Sequence, residues 1–189
     1  EYFLSTRTPN DEFVCSTAGI GLVTPSLYPS HAYTEYIGLT RQATEKVGFA
    51  AIHLGDTSGI PWTEADFDKW AKGIPSIKGI IADYGPAPGV NPSNATILVN
   101  GKIPIVRALL APGNSAPNDQ SAQMLADAIR AVTPANRPAF LHVCCINWFN
   151  SPTVVMEAVK MLGDGYVPVL PSQMFELIGE ARGKPAADR

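Results

Sequence analysis

Short apolar runs alternate along this chain with longer stretches whose apolar residues recur every three or four positions. The runs 13–17 (FVCST), 49–54 (FAAIHL), 77–82 (IKGIIA), 103–110 (IPIVRALL), 139–146 (AFLHVCCI) and 166–170 (YVPVL) have strand length. Several are apolar at successive positions, as parallel strands covered by helices on both faces are. The stretches between them carry helix signals. Residues 30–47 set Tyr33, Tyr36, Ile37 and Val47 near one face and stop at Gly48. Thr63-Glu64-Ala65-Asp66 has the form of a capping box with Asp in place of the usual Glu or Gln, ahead of Phe67, Trp70 and Ile74. Asp119 heads a stretch with Ala122, Leu125, Ile129 and Val132 that Pro134 closes. Ser151-Pro152 is a cap with proline at the first helical position, and Val155, Val159 and Leu162 turn inward before Gly163. Ser172 caps a last helix that buries Phe175 and Ile178.

This alternation predicts an α/β fold: a mostly parallel, barrel-like (β/α) domain of about seven strands, closed or partly open. One domain covers residues 1–182, and 183–189 form a frayed tail. Residues 83–103 are rich in Pro, Gly and Asn, and predict a long loop with a small hairpin turning at Asn100-Gly101. With 189 residues, 46% of them hydrophobic, the chain can bury a sizeable core. A net charge of −3 without long runs of like charge argues against a nucleic-acid surface. No apolar run approaches the ~20 residues of a membrane span. The opening EYFLSTRTPND lacks the basic start and apolar run of a signal peptide. Cys15, Cys144 and Cys145 all sit in apolar runs and read as free buried thiols. Asn94-Ala95-Thr96 is a glycosylation sequon that matters only in a secreting eukaryote.

In βα folds chemistry gathers where strands end and helices begin. That rule selects Gly19 and Gly21 after the first strand, His53 and Asp56 at the second, Asp83 and Tyr84 at the third, Arg107 in the fourth, and His142, Asn147 and Trp148 at the fifth. The glycines do not make a dinucleotide loop. Thr24 stands where a third glycine would, and Pro25 and Pro29 keep the helix too far away for its amides to converge on a phosphate. No Lys-Ser or Lys-Thr follows, so the Walker pattern fails as well. The three histidines form no HxxxH or HExxH pair, and a His53/Asp56/Asp83 metal set is not enforced by spacing. No metal and no cofactor are expected. Cys144 and His142 share a strand face, but a strand interior is a poor place for a nucleophile, and packing explains them better.

The paired carboxylates carry the argument. Asp56 ends AIHLGD and Asp83 ends GIIAD, each just past a strand. If those strands are neighbours, both carboxylates face one cleft, the arrangement that glycosidic-bond cleavage requires. Asp56 also suits a simple turn in GDTSG. Tyr28, Trp62, Tyr84, Trp148 and Phe149 fall in loops, where aromatic rings stack on sugar faces or plug the fold's ends; Trp70 belongs to the core.

The segments EYFLSTRTPNDEFVCSTAGIGLVTPSLYP, RPAFLHVCCINWFNSPTVVMEAVKMLG and DGYVPVLPSQMFELI together resemble the C-terminal domain of the GxGYxYP family. The resemblance implies a barrel-like βα domain, a carbohydrate as partner, a glycoside hydrolase-like activity and a secreted or extracellular setting. It also implies an N-terminal companion domain. The motif falls on Gly19 to Pro25, with both glycines and the proline kept and Leu22 and Thr24 in place of its two tyrosines. The leading expectation is hydrolysis by Asp83 and Asp56 as acid and base or nucleophile. Gly19, Gly21, His53, Tyr84, Arg107, His142, Asn147 and Trp148 would hold the sugar. The alternative is a non-catalytic glycan-binding or structural subunit of an extracellular assembly, in which the chain can oligomerise. A metal-dependent deacetylase on a similar barrel is a third reading.

Overall fold

A computed structural model of the chain describes residues 2–15, 18–21, 27–55, 62–82, 90–91, 93–100, 102–110, 121–145 and 150–183. The described residues form, in order, α1 (Tyr2–Thr6), β1 (Val14–Cys15), α2 (Ser30–Val47), β2 (Ala51–Leu54), α3 (Glu64–Gly73), β3 (Gly79–Ala82), β4 (Thr96–Val99), β5 (Ile103–Leu110), α4 (Ala122–Val132), β6 (His142–Val143), α5 (Pro152–Leu162) and α6 (Pro171–Gly183). The sheet runs β1-β2-β3-β5-β4, and β6 joins β5 at Ala108 and Leu110. Every pairing is parallel except the β4–β5 hairpin. Among the described residues the sheet is open and holds six strands, in keeping with the mostly parallel, partly open fold of about seven strands that the pattern predicts.

The register sorts side chains between two faces, because paired residues in a sheet point the same way. Ile52, Leu54, Ile80, Ala82 and Ile105 point to one face and are buried with Tyr33 and Ile37 of α2 and Phe67 and Trp70 of α3. Ala51 and Val106 point to the other and are buried with Phe175 and Ile178 of α6. Gly79 lies on that second face, and a Cβ there would stand 2.3 Å from the Phe175 ring. The absence of a side chain is what lets α6 lie flat on β3. Helices α4 and α5 pack on each other through Leu125, Ala126, Ile129 and Ala158, with Leu110, Leu141 and Val143 against them.

Several local expectations hold. Thr63 Oγ1 accepts from Asp66 N–H at 3.2 Å while Asp66 accepts from Thr63 N–H at 2.9 Å, so aspartate completes the capping box. Ser151 caps α5 ahead of Pro152, accepting from Val154 N–H. Asn100 adopts φ 51° at the β4–β5 turn; Gly101 lies outside the described residues.

Others shift. Ser121, rather than Asp119, caps α4, with its Oγ accepting from Met124 N–H at 3.2 Å. Helix α6 starts at Pro171, so Ser172 sits inside it, and its N–H is received by the Glu12 carboxylate at 3.1 Å. Residues 166–170 belong to no strand. Pro168 removes a ladder donor from the middle of that run, and Tyr166 instead spends its hydroxyl on Thr133 Oγ1 at 3.0 Å. Gly183 still belongs to α6, and the rest of the expected tail, 184–189, lies outside the described residues.

Candidate functional site

Because β1, β2, β3, β5 and β6 run parallel, their C-terminal ends share one edge of the sheet. The turn after β1 is pinned there: Ala18 N–H donates to the His53 carbonyl at 2.8 Å, which seats the glycine turn beside the end of β2. Its two glycines do different things. Gly19 has φ +104°, and a Cβ would meet Thr40 Oγ1 at 2.7 Å, Tyr36 Cε1 at 3.1 Å and Trp70 Cη2 at 3.2 Å. Gly19 is therefore required by its backbone conformation and by the helices beneath it. Gly21 has no such crowding, since its nearest neighbour is Tyr36 Oη at 4.0 Å. Its backbone is held at both ends by that hydroxyl, which receives the Gly21 N–H at 3.1 Å and donates to the Gly21 carbonyl at 3.2 Å. Burial raises the Tyr36 hydroxyl's pKa, which keeps it a donor. Tyr28 packs edge-to-face on Tyr36, with ring centres 6.0 Å apart.

The structure divides the remaining described candidates between the two faces. His53 pairs with Ile81, which pairs with Val106, so His53 lies on the α6 face. Arg107 pairs with Ala82 and lies on the α2–α3 face. There its Nη2 donates to the Trp62 carbonyl at 3.2 Å, and its guanidinium stands 5.5 Å above the Phe67 ring. Trp62 is buried and stacked on Phe67, so it plugs the fold instead of presenting a free ring. Arg107 thus braces the loop that leads into α3. His142 and His53 influence each other electrostatically: burial, and then the His53 charge, push the His142 imidazole down to about 4, so it is neutral at physiological pH. Burial likewise raises the thiols of Cys144 and Cys145, which keeps them protonated and weakly nucleophilic. Both are free and only partly buried, short of the expected burial, and Cys145 packs against the α4–α5 cluster.

Buried polar atoms without hydrogen-bond partners are spread over the described residues, from Thr44 Oγ1 within α2 to His142 Nε2 within β6. Among the described residues they include Trp62 Nε1, His142 Nε2 and both side-chain polar atoms of Asn150, which is 2% exposed. A buried group left unsatisfied costs about 1–3 kcal/mol, and such groups mark places where water or a ligand completes the structure. Asn150 escapes the sequence reading because it adjoins the Ser151-Pro152 cap and passes for part of the helix start. The only clue is an amide at the inner end of a loop, where a solvated polar residue would be expected.

A cavity of about 910 Å³ opens on the α6 face between the sheet and α4, α5 and α6. Its walls include Ile81, Val106, Leu125, Val155 and Phe175, with His142 among them. The walls are mostly apolar. Asp56, Asp83, Tyr84, Asn147 and Trp148 lie outside the described residues. The described part does fix the strands that lead to the first two: β2 and β3 are neighbours, paired through Leu54 and Ala82 at their ends. Among the described residues no group of three or more His, Cys, Asp or Glu is placed to hold a metal.

A family model described as the GxGYxYP putative glycoside hydrolase C-terminal domain matches residues 1–179. No curated protein matches the chain. Among solved structures, a putative hydrolase from Bacteroides thetaiotaomicron shares the fold with a TM-score of 0.70 and 18% identity over 95% of this chain. The chain spans 35% of that protein's length.

Proposed function

We propose, on the premise that this chain belongs to the GxGYxYP putative glycoside hydrolase family as a C-terminal domain, that it cleaves glycosidic bonds through Asp83 and Asp56. The observation that supports this reading is the β2–β3 pairing, because Asp56 follows Leu54 by two residues and Asp83 follows Ala82 by one. Two carboxyl groups leaving adjacent parallel strands share the edge where βα folds assemble their sites. In this scheme one carboxyl protonates the glycosidic oxygen. The other takes a proton from water or attacks the anomeric carbon, and their separation decides between inversion and retention. His53 lies on the strand that leads to Asp56, and with Asn147 it holds hydroxyls of the sugar. Tyr84 and Trp148 stack against the ring, and Gly21 offers backbone that a substrate can approach closely. Arg107 supports the site from the opposite face. A secreted setting and an N-terminal companion domain belong to the same proposal.

Asp83→Asn and Asp56→Asn are each expected to abolish release of reducing sugar from the chain's polysaccharide while leaving the melting temperature unchanged. Undiminished turnover in either variant removes that residue from the mechanism. A second reading, a non-catalytic glycan-binding or structural subunit, is favoured by Leu22 and Thr24 at the two tyrosine positions of the motif. A glycan array run beside a hydrolysis assay separates the two, since binding without turnover supports the second.

A further inference from the structure

The family motif names two tyrosines in the loop after β1, and this chain has Leu22 and Thr24 at those positions. Two other tyrosines converge on the same loop. Tyr36, from the second turn of α2, holds both polar backbone groups of Gly21 through its hydroxyl. Tyr28, at the far end of the loop, leans edge-to-face on Tyr36 at 6.0 Å and 74°. Tyr36 in turn stands edge-to-face against the fully buried Trp70 at 6.3 Å. The stack thus runs from the core to the surface, and its outermost ring, Tyr28, is 39% exposed. Ile20 and Leu27, between the same strand and helix, are also exposed.

We propose that Tyr28 is the aromatic platform of this domain's sugar site, stacking on the apolar face of a pyranose ring at the β1–β2 end of the sheet. The proposal rests on the glycan-directed reading above. Three observations carry it. The ring is open to solvent, whereas Trp62, another loop aromatic, is buried and stacked. The ring also rests edge-to-face on Tyr36, which is itself clamped to Gly21 and stands against Trp70, so part of its side-chain freedom is already lost before a ligand stacks. Its ring packs on Tyr36, which holds Gly21 in the turn that the Ala18–His53 hydrogen bond joins to the strand leading to Asp56. A partly exposed aromatic with a phenolic hydroxyl at its rim suits a ring with an apolar face and equatorial hydroxyls. Tyr36 acts through Tyr28 and Gly21 and is a positioning residue.

The test is affinity electrophoresis of the chain in gels containing soluble xylan, mixed-linkage β-glucan, galactomannan or pectic galactan. For the polysaccharide that retards the wild type, Tyr28→Ala is expected to weaken binding roughly tenfold, and Tyr28→Phe to stay within about twofold. Tyr28→Leu keeps an apolar contact with Tyr36 but lacks a flat ring, and is expected to match Tyr28→Ala. Wild-type affinity in both Tyr28→Ala and Tyr28→Leu overturns the platform and leaves the glycan reading intact. A wild type that none of the four polysaccharides retards overturns the glycan reading and the platform with it.

Discussion

The two glycines after β1 are equivalent in the motif but not in the fold, and their alanine variants should separate sharply. In Gly19→Ala the new Cβ arrives 2.7 Å from Thr40 Oγ1, 3.1 Å from Tyr36 and 3.2 Å from Trp70. None of these can easily give way: Thr40 and Trp70 are fully buried, and Tyr36 is tied to Gly21. Overpacking of this kind costs about 1–3 kcal/mol. Holding a non-glycine residue at φ +104° adds about 1–2 kcal/mol. The reduced freedom of the unfolded chain returns about 0.4–1 kcal/mol. The net loss is about 1–5 kcal/mol, which for a domain of this size lowers the melting temperature by roughly 2–20 °C. Gly21→Ala adds a Cβ that meets, among the described residues, only Tyr36 Oη at 4.0 Å, so its stability should stay within about 0.5 kcal/mol of wild type. Urea denaturation of the two variants and the parent measures both. If Gly19→Ala proves as stable as the parent, the packing account of the turn is wrong. If Gly21→Ala is stable but loses glycan turnover, the second glycine serves the ligand.

Two further predictions concern the α6 face. Gly79→Ala drives a Cβ to 2.3 Å from the buried Phe175 ring and should cost about 1–3 kcal/mol. Adding Phe175→Leu should recover part of that loss, and a denaturant double-mutant cycle showing strict additivity would deny the contact. The second concerns pH. His142 titrates at about 4 in the fold against 6.5 when unfolded, so between those values the unfolded chain binds the proton and the folded chain does not. The stabilisation is complete above pH 6.5 and lost as pH falls toward 4, by about 3 kcal/mol in all. His142→Asn should flatten the stability profile over that window, as read by urea midpoints from pH 7 to 4.5, and identical slopes in both proteins would refute the buried, neutral imidazole.

Much of the fold is legible in the sequence because burial is written in the spacing of apolar residues. Strand β5 covers the whole of 103–110, and α2 spans the expected 30–47. The misreadings have definite physical sources. On α2 the buried stripe is Tyr33, Ile37, Thr40 and Thr44, so half of it is threonine, which a hydrophobic pattern passes over. Thr40 tolerates burial because its hydroxyl returns to the Tyr36 carbonyl at 2.9 Å. The run at 166–170 looks like a strand because Tyr and Val favour sheets, but Pro168 breaks the ladder and a side-chain bond to Thr133 decides the chain's path. Glu12 and Ser172 meet across 160 positions, a helix-capping contact that no local pattern encodes.

The site is less legible, because strand-end position identifies an edge and not a face. Sequence position groups His53 and Arg107 as one set, and the register sends them to opposite sides of the sheet. One residue of phase decides this: His53 pairs through Ile81 to Val106, next to Arg107 in the chain but facing the other way. Such phase follows from which strands are neighbours, and that is a tertiary fact. The glycine turn shows the complementary case. Its φ > 0 position could be guessed from composition, yet its anchorage on Tyr36 depends on a helical residue fifteen positions downstream. A motif read as a ligand loop is therefore first a packing device, with one glycine spent on the core. Among the described residues of the turn, that leaves the partly exposed ring of Tyr28 as the part open to a ligand.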